Sequence, residues 1–149
     1  MCGNKARTWV EIDLDVFSNN LKLIRSHIGN NVKMLAVIKA DAYGHGALQL
    51  ARVCQDEHVD YLAVACVKEG VELRTNGIKL PILILSYIDN SEYNELLEYN
   101  LIPAVYDEKM AFELNSLVEN LDKKDTKIKI HLKLLVLKKQ NLKQIFLYQ

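Results

Sequence analysis

The sequence predicts an α/β fold built from parallel βαβ units, and three observations carry that prediction. Short apolar runs without alternation recur along the chain, beginning with Met34-Leu35-Ala36-Val37-Ile38 and Tyr61-Leu62-Ala63-Val64-Ala65-Cys66-Val67. Runs of this kind mark strands covered on both faces. Segments with apolar residues at helical spacing separate them, as in Ala47, Leu50, Ala51 and Cys54. Glycines and capping residues punctuate the joins, at Gly44, Gly46, Asn76-Gly77, Ser91 and Asp107. Such alternation implies strands joined by right-handed helical crossovers. The 149 residues suffice for one ordinary domain. About five strands could form an open doubly wound sheet, whereas a (β/α)8 barrel needs eight, and pattern alone admits either.

In chain order, Arg7-Thr8-Trp9-Val10-Glu11-Ile12-Asp13-Leu14 can extend as a leading strand. Asp13 or Asp15 then caps a helix carrying Val16, Phe17, Leu21, Ile24 and Ile28. The first core strand spans Lys33 to Lys39, and a glycine-bearing turn leads to the helix after Gly46. The second strand, Tyr61 to Val67, precedes a short helix from Lys68 to Thr75. The third, Leu80 to Tyr87, tolerates Pro81 at its start. Ser91 caps a helix with Leu96 and Leu97, and Glu92 suits its positive end. Leu101 to Tyr106 is the fourth strand. Asp107 caps the clearest helix, with Met110, Leu114, Leu117, Val118 and Leu121 at helical spacing. A fifth strand begins near Lys127, where Ile128, Ile130, Leu132 and Leu134 alternate with Lys129, His131 and Lys133.

Composition narrows the function. Basic and acidic residues number 19 each, which leaves no electrostatic footprint for nucleic acid or an anionic membrane. No apolar run reaches the length of a membrane span, and the amino terminus lacks the apolar stretch of a secretory signal. Cys2, Cys54 and Cys66 form no Cys-x-x-Cys pair, so neither a disulfide framework nor a metal site is expected, and a reducing cytoplasm fits. Cys54 and Cys66 read as small core residues and Cys2 as exposed.

The chemistry concentrates in Val37-Ile38-Lys39-Ala40-Asp41-Ala42-Tyr43-Gly44-His45-Gly46. A lysine ends a buried strand and is followed at once by a turn rich in polar groups and glycine. In parallel α/β folds, reacting groups collect past the carboxyl ends of strands. Lysine is also the side chain that forms a Schiff base with a carbonyl compound. These ten residues closely resemble the pyridoxal-phosphate attachment motif of the alanine racemase family. Arg7-Thr8-Trp9-Val10-Glu11-Ile12-Asp13, Glu69-Gly70-Val71-Glu72-Leu73-Arg74 and Ile130-His131-Leu132-Lys133-Leu134 resemble further family stretches in the same order.

The resemblance implies an incomplete (β/α)8 barrel of about five parallel strands, preceded by an extra strand and helix. It implies pyridoxal 5'-phosphate as cofactor, alanine as substrate and D-alanine for cell-wall peptidoglycan as product, in a cytoplasmic, homodimeric enzyme. Lys39 is carried over as the cofactor-attachment lysine and a catalytic base, and Tyr43 as a phosphate contact. Lys133 matches a lysine that in some members is carbamylated and braces an arginine, which has no counterpart here. The second base, a tyrosine of the partner's carboxyl-terminal domain, also has no match. The family's next stretch, Asp-Thr-Gly-Met, is replaced by Leu135-Val136-Leu137-Lys138. The expectation is a changed reading frame or a truncated gene model near codon 134. Residues 1–134 would be a partial barrel domain and 135–149 a non-family tail, disordered or frameshifted. Alone, the polypeptide is expected to be marginally stable and to have little or no racemase activity. The alternatives are a stand-alone pyridoxal-phosphate-binding barrel protein or a non-enzymatic remnant.

Other polar residues have plainer readings. Asp41 suits a turn or helix cap, and His45 either orients its neighbours or is structural. Glu69, Glu72 and Arg74 read as a solvated helical face with local ion pairs. The lysines from 123 to 143 read as a solvated or disordered tail, not as a nucleic-acid patch, and Tyr93, Tyr99 and Tyr106 as core or rim packing residues.

Overall fold

The computed structural model describes residues 9–120, 127–138 and 141–147. In order they form α1 (Leu14–Ile28), β1 (Leu35–Val37), α2 (Lys39–Gly44), α3 (Ala47–Asp56), β2 (Tyr61–Val64), α4 (Val67–Thr75) and β3 (Ile82–Ile84). A 3-10 turn (Asn90–Glu92) leads into α5 (Tyr93–Glu98), followed by β4 (Ile102–Val105), α6 (Glu108–Asn120), β5 (His131–Lys138) and β6 (Asn141–Leu147).

The strands lie side by side in sequence order, β1 to β5 parallel and β6 antiparallel to β5. A doubly wound sheet reverses its strand order partway, which places helices on both faces. No reversal occurs here, so right-handed crossovers put every helix on one side and leave the other face concave. This is the wall of an incomplete barrel.

Strand periodicity divides the core accordingly. Leu62, Val64, Ile82, Ile84 and Val105 face the helices and pack with Leu50, Cys54, Leu73, Leu96, Met110 and Leu114. Ala63, Leu83 and Ile102 form a smaller inner cluster with Leu35, Tyr61 and Leu85. Cys54 and Cys66 are free thiols, and burial pushes the Cys54 thiol up to about 11, as befits an inert core residue.

Several expectations change. No leading strand forms among the described residues: residues 9–13 have no strand partner there, and Trp9 and Val10 are 73% and 79% exposed. Residues 1–8 lie outside the described residues. Asp13, not Asp15, caps α1, its Oδ1 accepting from Val16 N–H at 2.9 Å. Ser91 is not the cap before α5. Asp89 accepts from Ser91 N–H while Glu92 accepts from Asp89 N–H, a reciprocal capping box two residues earlier. Asp107 does cap α6, through Met110 N–H at 2.8 Å. Leu135 to Lys138 continue β5 and pair with β6 from Leu135↔Gln144 to Lys138↔Asn141. Lys123 and Lys124 lie outside the described residues.

Candidate active site at the carboxyl end of the first strand

β1 ends by burying Ile38 in the helix-side core, and Lys39 follows, half-buried at the sheet's carboxyl end. Lys39 makes no hydrogen bond or ion pair among the described residues, so its amine is uncommitted. The chain then turns through a helix of the opposite hand. Ala40, Asp41, Ala42 and Tyr43 all take φ between 51° and 57°, and Gly44 continues at 84°. A left-handed L-residue costs about 1–2 kcal/mol, so four in a row survive only if their surroundings over-determine them.

The restraints are specific. Ala42, 3% exposed, donates its N–H to Ile38 C=O at 2.9 Å. Asp41 accepts from Gly46 N–H on its carbonyl and from Ala47 N–H on Oδ1, at 3.0 and 2.7 Å. Its carboxylate therefore caps α3, as its residue type suggested. The His45 ring lies 2.9 Å from the Ala42 carbonyl through Nδ1, a structural role. Outside the turn, Glu69 accepts from Ala40 N–H at 2.8 Å and from Ala65 N–H at 2.7 Å. Tyr43 stands 61% exposed at the end of the left-handed turn, its hydroxyl without a partner among the described residues.

The solvated, ion-paired face expected for α4 is corrected on two counts. Glu69 is bound to backbone amides as just described. The Arg74 guanidinium donates to the carbonyls of Leu80, Ile78, Tyr99 and Asn100 at 2.7, 2.8, 2.9 and 3.2 Å. Burial pulls its pKa below the ordinary arginine value. It ties together the loops at the amino ends of β3 and β4. Neither residue forms an ion pair among the described residues, because unpaired main-chain groups compete for them first.

Further round the sheet, the Lys133 ammonium sits 5.1 Å above the Tyr106 ring, and the Tyr106 hydroxyl donates to Leu85 C=O. Tyr106 is thus tied to the end of β3 rather than serving as packing alone. His131, two residues before Lys133, is buried, and desolvation together with the nearby Lys133 charge holds its pKa below the ordinary histidine value. It lines a cavity of about 600 Å³ with Lys33, Leu35, Tyr61, Leu83 and Ile102. That cavity lies on the inner face at the opposite, amino end of the strands, and neither Lys39 nor Tyr43 lines it.

The pattern of the family described as "Alanine racemase, N-terminal domain" matches residues 12–136. Alanine racemase 1 of Caldanaerobacter subterraneus subsp. tengcongensis is 43% identical over 127 residues, 85% of this chain and 32% of that protein. The alanine racemase of Clostridium kluyveri is 44% identical over 126 residues, 85% of this chain and 31% of that protein. Among solved structures, a Clostridium difficile alanine racemase in complex with cycloserine superposes with a TM-score of 0.79 at 40% identity. That match covers 86% of this chain and 33% of the other. The chain spans about a third of the length of the curated relatives it matches. No helix among the described residues is long and apolar enough to cross a membrane.

Proposed function

The chain belongs to the alanine racemase family through the N-terminal domain, and from that premise we propose that it is the cofactor-bearing part of a pyridoxal 5'-phosphate-dependent amino-acid racemase. The observation that carries this reading is the uncommitted amine of Lys39 beside a strained, heavily restrained turn bearing Tyr43. Strain of this kind persists where a site must be held ready for a ligand.

The residues present fit the cofactor. Lys39 offers a free primary amine for its aldehyde, and Tyr43 an exposed hydroxyl able to donate to its phosphate. When bound, the pyridine ring would supply an electron sink for the pair left behind as the α-proton departs. With the group bound, Lys39 would hold it, and the lysine amine would remove or return the α-hydrogen of alanine on one face. Racemisation needs a second base on the opposite face. No residue of this chain matches the one the family takes from a partner subunit. Cofactor attachment and one of the two bases are therefore what these residues are proposed to supply. Conversion between L- and D-alanine, in a cytoplasmic homodimer supplying peptidoglycan synthesis, is proposed for the longer enzyme.

Titration with pyridoxal phosphate tests the reading. The wild-type chain should show a saturable change in the cofactor's visible absorbance that Lys39→Ala abolishes. Equal spectra for the two proteins would refute it.

A further inference from the structure

We propose that Glu69 is the positioning residue for Lys39: its carboxylate replaces the β1–β2 ladder where the chain leaves the sheet, and so fixes the turn that follows the lysine. The inference concerns the backbone that presents Lys39, and its cofactor consequences rest on the reading above.

In the ladder, Tyr61 N–H donates to Met34 C=O at 3.1 Å and Ile38 N–H to Ala63 C=O at 2.9 Å. The next steps of a parallel pattern would pair Ala65 N–H with Ile38 C=O, and Ala40 N–H with Ala65 C=O. Both acceptors are taken. Ile38 C=O accepts from Ala42 N–H inside the left-handed turn, and Ala65 C=O accepts from Ser86 N–H and hydroxyl. The departure of β1 therefore orphans two strand amides at once, and unpaired amides are costly.

Glu69 accepts both, one on each carboxylate oxygen. A carboxylate suits the task because it carries two acceptors and no donor. Its bonds to N–H groups are charge-assisted, and its place in the first turn of α4 sets it near the helix's positive end. Glutamine at this position has one oxygen and one amino group, so one amide would face a second donor. Ala40 directly follows Lys39, so the bridge sets where the lysine backbone sits relative to the end of β2.

Residue-resolved hydrogen exchange on the full chain, with borohydride trapping of pyridoxal phosphate, tests this. In the wild type, the Ala40 and Ala65 amides should be protected although neither has a strand partner. Glu69→Gln should speed exchange at Ala40 or Ala65 at least about tenfold, the loss of one charge-assisted bond. It should lower trapping on Lys39 by a similar factor while the core amide of Leu62 keeps its protection. Glu72→Gln, on the exposed face of the same helix, should change neither. Fast wild-type exchange at Ala40 overturns the proposal, and decides it even if Glu69→Gln fails to fold. Unchanged trapping despite lost protection overturns it too. A wild type that traps no cofactor at Lys39 refutes the cofactor reading instead, and amide exchange alone then judges the hold of Glu69 on the turn.

Discussion

The two ends of the sheet are held together by opposite chemistry. At the amino end a cation does the binding: Arg74 gathers four carbonyls from the loops before β3 and β4. Nearby, Arg25 pairs with Asp60 at 2.7 Å, and Asp60 accepts from Met34 N–H at the start of β1. At the carboxyl end carboxylates do the binding: Glu69 and Asp41 gather the amides around a left-handed turn. Backbone at the amino end takes positive φ only at isolated non-glycine residues among those described, His58 and Asn100, whereas the carboxyl end keeps four consecutive ones there. The comparison teaches that one end serves stability and the other stores strain beside the residue that does chemistry, as barrels of this class are organised.

If that division holds, the largest stability loss belongs to the amino end. Arg74→Met should cost about 3 kcal/mol in urea unfolding, because hydrogen bonds to a charged group are worth about 1.5–3 kcal/mol and the carbonyls lose a shared partner. Lys39 trapping by the folded fraction should stay unchanged. At the carboxyl end, Ala40→Val should destabilise by about 1–2 kcal/mol, since a β-branched residue suits φ 52° poorly, and Ala40→Gly should stabilise by up to about 1 kcal/mol. Equal stability for the two would mean that the turn is not strained. Asp41→Ala should cost about 1 kcal/mol through the lost cap on α3 and shift the Ala47 amide to faster exchange.

The smallest effect is a pH dependence at Asp60. Its pKa is held below the ordinary carboxylate value first by Met34 N–H and then by the Arg25 guanidinium. A depressed folded-state value means the contribution is present above the unfolded pKa, about 4, and is lost as pH falls through the folded one. Asp60→Asn should lower stability slightly at neutral pH, where the contribution is fully present, and flatten the acid limb of the stability curve below about pH 4. The group is partly solvated, so a strong effect near pH 7 would contradict this picture.

Much of the fold is legible because burial on both faces leaves continuous apolar runs, and β1 to β4 stand within the expected runs. Strand ends are less so. The third run extends from Leu80 to Tyr87, yet β3 covers Ile82–Ile84, since a ladder ends where its neighbours end and β4 pairs only at Leu83↔Ile102 and Ile84↔Pro103. The leading strand needs a partner that the described residues do not supply. Within the site, the type and place of Lys39, Tyr43 and Asp41 are readable locally. The handedness of Ala40 to Tyr43 is not, because alanine and tyrosine carry no preference for positive φ. Glu69 acts across 29 residues of sequence, on amides whose ladder partners are lost only once β1 turns away. Its one local signal is an acidic residue in the first turn of a helix beginning at a strand's carboxyl end.

The most direct test maps where pyridoxal phosphate attaches. After borohydride reduction of the full chain, peptide mass spectrometry should find the phosphopyridoxyl group concentrated on Lys39, at cofactor levels that leave Lys22, Lys68 and Lys109 unlabelled. Labelling spread evenly over the exposed lysines, with Lys39 no more reactive than they are, would contradict the account.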